Sequence, residues 1–189
     1  THALNVEGSR LVFEETAKAG AERLCYASSV AAYGFHDDNP DWLTEDVPAR
    51  GSPEFPYSGQ KAEVEQLLAQ ALLRRRRTSA YVFRPCIVAG PEARTMLQEI
   101  PYFRLGEAMP DSVLRLLSSV PALKPVIPDP GARFQLVHSE DVARAFVAGV
   151  RGVGEPGPYN LAAGGTLTMT HLAAALGWYS VPIPKIAVE

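Results

Sequence analysis

Cysteine is scarce in this chain: Cys25 and Cys86 are the only two, and each sits in an apolar, strand-like run. Thiols so placed exclude a disulfide framework or a cysteine metal pair, and both are expected as small buried hydrophobes. An excess of basic charge is also lacking, since the net charge is -3 at pH 7. A nucleic-acid-binding domain would be clearly basic, so that class of partner is excluded. The single basic run, Arg74-Arg75-Arg76-Arg77, follows an amphipathic helix, whose negative end it suits as a solvated terminus. No apolar stretch is long enough to span a bilayer and no basic-then-apolar leader opens the chain, so no membrane partner is expected and the protein is expected to be cytoplasmic.

Some motifs are missing as well. Without a G-x-S-x-G elbow, a hydrolase with a serine nucleophile has no support. His36, Asp37, Asp38 and Asp41 share a loop but have no metal-ligand spacing, so a solvated acidic loop is expected and no metal. His2, His138 and His171 are isolated, and structural roles are expected for them. Gly152-Val153-Gly154-Glu155-Pro156-Gly157 fits the dinucleotide fingerprint by letters, yet a helix precedes it and a strand follows. The fingerprint requires the reverse order. Glu155 would repel a pyrophosphate, and Pro156 and Pro158 lack N–H donors. This stretch is a helix-to-strand loop.

What is present is an alternation of helices and strands over 189 residues, enough for one domain with a sizeable core. Residues 4–19 are helical, with Gly20 as the C-cap. Residues 23–29 form a strand buried on both faces, and 33–56 form a loop. A helix over 57–73 carries Val64, Leu67, Leu68, Ala71 and Leu72 on one stripe. A strand spans 80–88, and a helix lies near 112–119. A short strand at 134–137 leads into a helix opened by Ser139-Glu140-Asp141 and running through residue 150. A strand at 159–162 and a helix capped by Thr168 and running to Leu176 complete the chain. The order implies an α/β fold with a parallel sheet. The chain starts at Thr1 and enters at once into a helical pattern, so a fragment or a processed piece is expected.

The chemistry centres on Tyr57-Ser58-Gly59-Gln60-Lys61. Residues four apart share a helix face, which places the Lys61 ammonium under the Tyr57 phenol. A cation there favours the phenolate, and such a tyrosine can give or take a proton at a substrate hydroxyl or carbonyl. Upstream, Ser28-Ser29 closes a strand. Ligands of parallel sheets bind beyond the carboxyl ends of strands, so Ser29 can bond the same substrate oxygen. For Ser28, satisfying strand-end backbone groups remains an open reading.

At these residues the sequence resembles the extended short-chain dehydrogenase/reductases, also called NAD-dependent epimerase/dehydratases. Asn5-Val6-Glu7-Gly8 resembles the N-V-x-G helix opening, and Ser28-Ser29 through Tyr33-Gly34 the S-S-x-x-x-Y-G strand end. Thr44-Glu45-Asp46-Val47-Pro48 is similar to the T-E-x-x-P loop before Y-x-x-x-K. Arg84-Pro85 with Gly90-Pro91 is similar to R-P-x-x-V-x-G-P. Val137-His138-Ser139-Glu140-Asp141-Val142-Ala143 resembles V-H-V-D-D-V-A, and Tyr159-Asn160-Leu161 the Y-N-x strand. Each motif is short, but six in family order are strong.

The resemblance implies a partial Rossmann-like parallel sheet flanked by helices, with a small C-terminal substrate-side region. Residues 1–91 would be the remaining part of the dinucleotide-binding domain, and 92–189 mainly substrate-side, with 134–150 returning to the sheet. It implies catalytic roles for Ser29 as donor to the substrate oxygen, Tyr57 as acid/base, Lys61 as the cation that lowers the phenol's pKa, and Asn5 as support or water relay. Tyr57 and Lys61, with Pro85, Cys86, Ile87 and Val88, would bind NAD or NADP, the choice between them not being readable. The reaction implied is hydride transfer at a secondary alcohol or ketone of a small-molecule substrate. The nucleotide-sugar epimerase/dehydratase reaction is the alternative, and a non-catalytic dinucleotide-sensing or interaction domain is the alternative of another class.

Two departures from the family pattern shape these expectations. The glycine-rich phosphate turn and the acidic ribose reader have no counterpart here, so these residues alone are expected to be inactive and to self-associate through open strand edges. Nucleotide-sugar members carry an asparagine where Ile87 stands and an arginine where Phe134 stands. Their replacement leans towards the branch that resembles hydroxysteroid and flavonol-type reductases. A homodimer through helices 4–19 and 57–73 is expected from the family's four-helix pairing.

Overall fold

A computed structural model of the chain describes residues 2–73, 77–91, 124 and 126–184. These divide into two compact units, Thr1–Cys86 with Glu140–Ala162, and Ile87–Ser139 with Ala163–Glu189. The helix expected near 112–119, and the arginine run apart from Arg77, lie outside the described residues.

The first unit opens with a π-helical turn, Ala3–Glu7, that runs into α1, Gly8–Ala19. Gly20 closes α1 in the left-handed conformation (φ 72°), the C-cap expected from its glycine. Strand β1, Arg23–Ala27, is followed by a 3-10 turn, Val30–Tyr33. Helix α2, Pro56–Leu73, begins on a proline, whose fixed φ suits a first helical turn. Strand β2, Ser79–Pro85, pairs parallel with β1 on one side and with a later strand, Gly157–Leu161, on the other.

Strand alternation sorts the side chains. Leu24 and Ala80, with Tyr26 and Val82 beside them, join Val6, Phe13, Val64 and Leu68 in a core under α1 and α2. Cys25 and Phe83 point the other way, towards the helix Ser139–Arg151. A Cβ on its Gly149 would lie 2.8 Å from Cys25 Sγ and 3.0 Å from the Phe83 ring. Only a glycine lets that helix approach the sheet so closely.

Several expectations change. Strand β1 stops at Ala27, and Arg23 and Ala27 are exposed, because β1 is an edge strand among the described residues. Cys25 and Cys86 are only partly buried, one on that edge strand and the other between two strands. The strand expected over 80–88 is two. Strand β2 ends at Pro85, Cys86 donates its N–H to Leu161 O (3.0 Å), and β3, Ile87–Ala89, takes another partner.

In the second unit, β3 pairs parallel with β5, Leu136–His138, and β4, Val126–Asp129, pairs parallel with β7, Tyr179–Pro182. In chain order, α3 is the Ser139–Arg151 helix, β6 the Gly157–Leu161 strand, and α4 the helix Met169–Ala175. Phe134 forms a bridge to Leu167 rather than starting the strand. Thr168 caps α4 as expected, and His171 accepts the Thr168 N–H at 3.1 Å, which gives that histidine a structural role.

Candidate active site

The site is built where β1 ends. Ser28 continues the strand's bonding, its N–H donating to Phe83 O at 2.8 Å, and its side chain is buried. Ser29 is extended (φ -162°), and its Oγ accepts the Ala31 N–H at 3.2 Å, so it caps the 3-10 turn. The turn ends on Gly34 (φ 84°), where a Cβ would lie 2.4 Å from His36 Nε2 and 2.6 Å from Gly51 O. The glycine after Tyr33 is therefore a steric requirement.

Tyr57 stands in the first turn of α2 and is 59% exposed. Lys61 lies one turn on, its Nζ 5.7 Å from the Tyr57 ring centroid and 5.2 Å from that of Tyr26. It donates to the Ala27 carbonyl at 2.7 Å, which ties the helix to the strand end. Burial pushes the Lys61 ammonium below its usual pKa, and the charge of Glu65 opposes this. Asn5, in the π-helical turn, donates to Gln60 Oε1 at 2.9 Å and so sits against the turn of α2 between Tyr57 and Lys61. Tyr57, Lys61, Asn5 and the strand end thus come together. Among the described residues Ser29 makes no hydrogen bond to Tyr57. Pro85 and Cys86 close β2 in the first unit, whereas Ile87 and Val88 form β3 in the second.

Behind these residues lies a network that the sequence reading missed. Glu65, a further turn along the Tyr57–Lys61 face, accepts from Ser28 Oγ (2.5 Å), Arg84 Nε (3.0 Å) and Arg84 Nη2 (2.6 Å). Both members of the ion pair are nearly buried, with side chains 6% and 11% exposed. The guanidinium lies 4.6 Å from the Tyr33 ring centroid, a cation–π contact. The Tyr33 hydroxyl reaches Asn160 Oδ1 (2.8 Å) and Thr44 O (3.0 Å). Asn160 in turn donates its N–H to Glu45 Oε1 (2.7 Å) and its Nδ2 to Leu43 O (2.8 Å). One chain of contacts therefore links four of the sequence motifs. The signal was readable: a charged residue on the apolar stripe of α2, and an arginine inside an apolar strand.

A parallel sheet flanked by helices, with the chain after β1 bonded to α2, defines a Rossmann-like α/β protein. The chain belongs to the NAD dependent epimerase/dehydratase family, whose model matches residues 1–162. An uncharacterized protein of Mycobacterium tuberculosis is 26% identical over 186 residues, covering 98% of this chain and 44% of that protein. A UDP-glucose 4-epimerase of Neisseria meningitidis serogroup B is 28% identical over 157 residues, covering 78% and 44%. Among solved structures, a UDP-N-acetylglucosamine 4-epimerase from Methanobrevibacter ruminantium superposes with a TM-score of 0.69 at 22% identity, over 97% of this chain and 56% of that one. The chain thus spans less than half the length of these two curated relatives. Among the described residues no helix is long and apolar enough to cross a membrane, and no His/Cys/Asp/Glu group could hold a metal ion.

Proposed function

We propose that this chain carries the acid–base part of an NAD(P)-dependent enzyme that acts at a secondary alcohol or ketone, with Tyr57 as the proton donor and acceptor. The supporting observation is the placement of Lys61. Its ammonium sits beside the Tyr57 ring and is anchored on Ala27 O, next to the strand-end serines. As the phenol gives up its proton, the nearby cation stabilises the negative charge that forms. Ser29 donates its hydroxyl to the substrate oxygen and holds it for that transfer. Asn5, through Gln60, steadies the helix turn that bears both groups.

The residues suit the cofactor. Lys61 has three N–H donors and uses one on Ala27 O, which leaves two that would be available to a ribose diol. Tyr57, Lys61, Pro85, Cys86, Ile87 and Val88 are the groups that would hold the nicotinamide end. When bound, the nicotinamide supplies or accepts the hydride.

A nucleotide-linked hexose is the second reading of the substrate, favoured by the likeness to a UDP-glucose 4-epimerase. Ile87 and Phe134 favour an uncharged alcohol instead. Turnover of UDP-glucose and of uncharged hydroxysteroids, with NAD or NADP, by protein from the complete reading frame separates these readings. Tyr57→Phe is expected to lower kcat by about 10²–10⁴-fold, the size of a general acid–base contribution. Wild-type turnover in that variant would overturn Tyr57 as the acid/base, and turnover of neither substrate by the unaltered protein would leave the dinucleotide-sensing alternative. Pairing of two copies through residues 4–19 and 57–73 belongs to the same proposal. Exposed Leu4, Leu11, Val12 and Leu73 support it, while Leu67, Leu68 and Leu72 are used in the core of one copy.

A further inference from the structure

We propose that Ser58 and Glu65 are positioning residues that fix where Ser29 stands relative to Tyr57, an inference that rests on the acid–base reading above. Among the described residues Ser29 is held by α2 only through its neighbours. Lys61 donates to Ala27 O (2.7 Å), Glu65 accepts the Ser28 hydroxyl (2.5 Å), and Ser58 donates to Ala31 O (2.6 Å). The helix that carries the phenol thus grips the chain on both sides of Ser29. Ser58, the residue after Tyr57, is 1% exposed and also accepts the Ser52 N–H at 3.0 Å, so its hydroxyl has one available orientation. Glu65 is fixed in turn by its two contacts with Arg84.

A carboxylate kept only to neutralise Arg84 would not need the Ser28 hydroxyl. That bond adds a connection from the ion pair to the residue before Ser29, and Ser28→Ala removes it while both Arg84 contacts remain. The grip can therefore be loosened without leaving a buried charge unpaired. Rates of catalysis are sensitive to displacements of about 1 Å in such a geometry.

Hydrogen–deuterium exchange on this chain tests the clamp directly. In Ser28→Ala and Ser58→Ala, exchange over residues 28–34 is expected to rise about tenfold while residues 79–85 keep their wild-type rates, the pattern of a local opening. Unchanged rates over 28–34 in both variants would overturn the proposal. With protein from the complete reading frame, NAD, and UDP-glucose and an uncharged hydroxysteroid as probes, Ser28→Ala is expected to lower kcat about tenfold with little change in KM. In a Ser29→Ala background the same substitution should have almost no further effect, because the group it positions is gone. Equal losses in both backgrounds would show a role independent of Ser29 and sink the idea. Should Tyr57→Phe keep full turnover, the acid–base reading falls, and the exchange rates alone decide whether α2 fixes the strand end.

Discussion

Glu65 in the first unit, nearly buried, and Asp129 in the second, buried, are carboxylates held in opposite ways. Glu65 faces a buried cation, Arg84, together with the Ser28 hydroxyl. Among the described residues Asp129 meets neutral donors: the Gly131 N–H (2.8 Å), the Thr170 N–H (3.0 Å), the Thr170 hydroxyl (2.5 Å) and the Thr168 side chain. The first arrangement makes two charges depend on each other inside the protein. The second ties the end of β4 to the loop after it and to a seven-residue helix through one acceptor. If either carboxylate is lost, the difference lies in what remains: an unpaired guanidinium in one case, and in the other a hydroxyl that still has Ser180 Oγ at 2.9 Å.

The largest effect is therefore expected at Glu65. Glu65→Leu strands the Arg84 charge and should lower unfolding stability by about 3–5 kcal/mol, measured by urea denaturation. Glu65→Leu combined with Arg84→Met should recover much of that loss, and no recovery would break the contrast drawn here. At Asp129 the expected loss is smaller and depends on pH. The Thr170 hydroxyl, followed by the Gly131 N–H, holds the Asp129 carboxyl below its ordinary value. Its contribution is complete above the unfolded value of about 3.9 and disappears as pH falls through the lower folded value. Thermal midpoints from pH 5 down to pH 2 should therefore fall more steeply in the wild type than in Asp129→Asn, and equal slopes would refute the assignment. The smallest effect on stability is expected at exposed Leu11 and Val12, where Leu11→Glu with Val12→Glu should leave the midpoint of the dilute, unpaired protein nearly unchanged. Analytical ultracentrifugation should show the same pair of changes dissociating the proposed dimer.

Local rules made much of the fold readable. Gly20, Thr168 with His171, and the acids that open α3 each mark an element boundary through bonds made within a few residues. Long-range choices were less readable. The break at Cys86 arises because its N–H bonds Leu161 O, over which the run of apolar letters is silent. Strands β4 and β7 carry Pro128 and Pro182, and proline argues against a strand when only the sequence is in hand. At the site, the spacing of Tyr57 and Lys61 gave their shared face, and Asn5 was carried by its motif. Ser28 was left undecided because its partner Glu65 is distant in sequence, and no local pattern reports such a pair.

Every strand ladder named above is parallel, so no two sheet neighbours are joined by a tight hairpin. Arg23 must find Ser79, and Val126 must find Tyr179, across long intervening stretches. Closing such loops before any contact rewards them slows the search, so refolding from denaturant should take milliseconds to seconds rather than microseconds. During that interval unpaired edges are open to other chains, and recovery should fall as protein concentration rises.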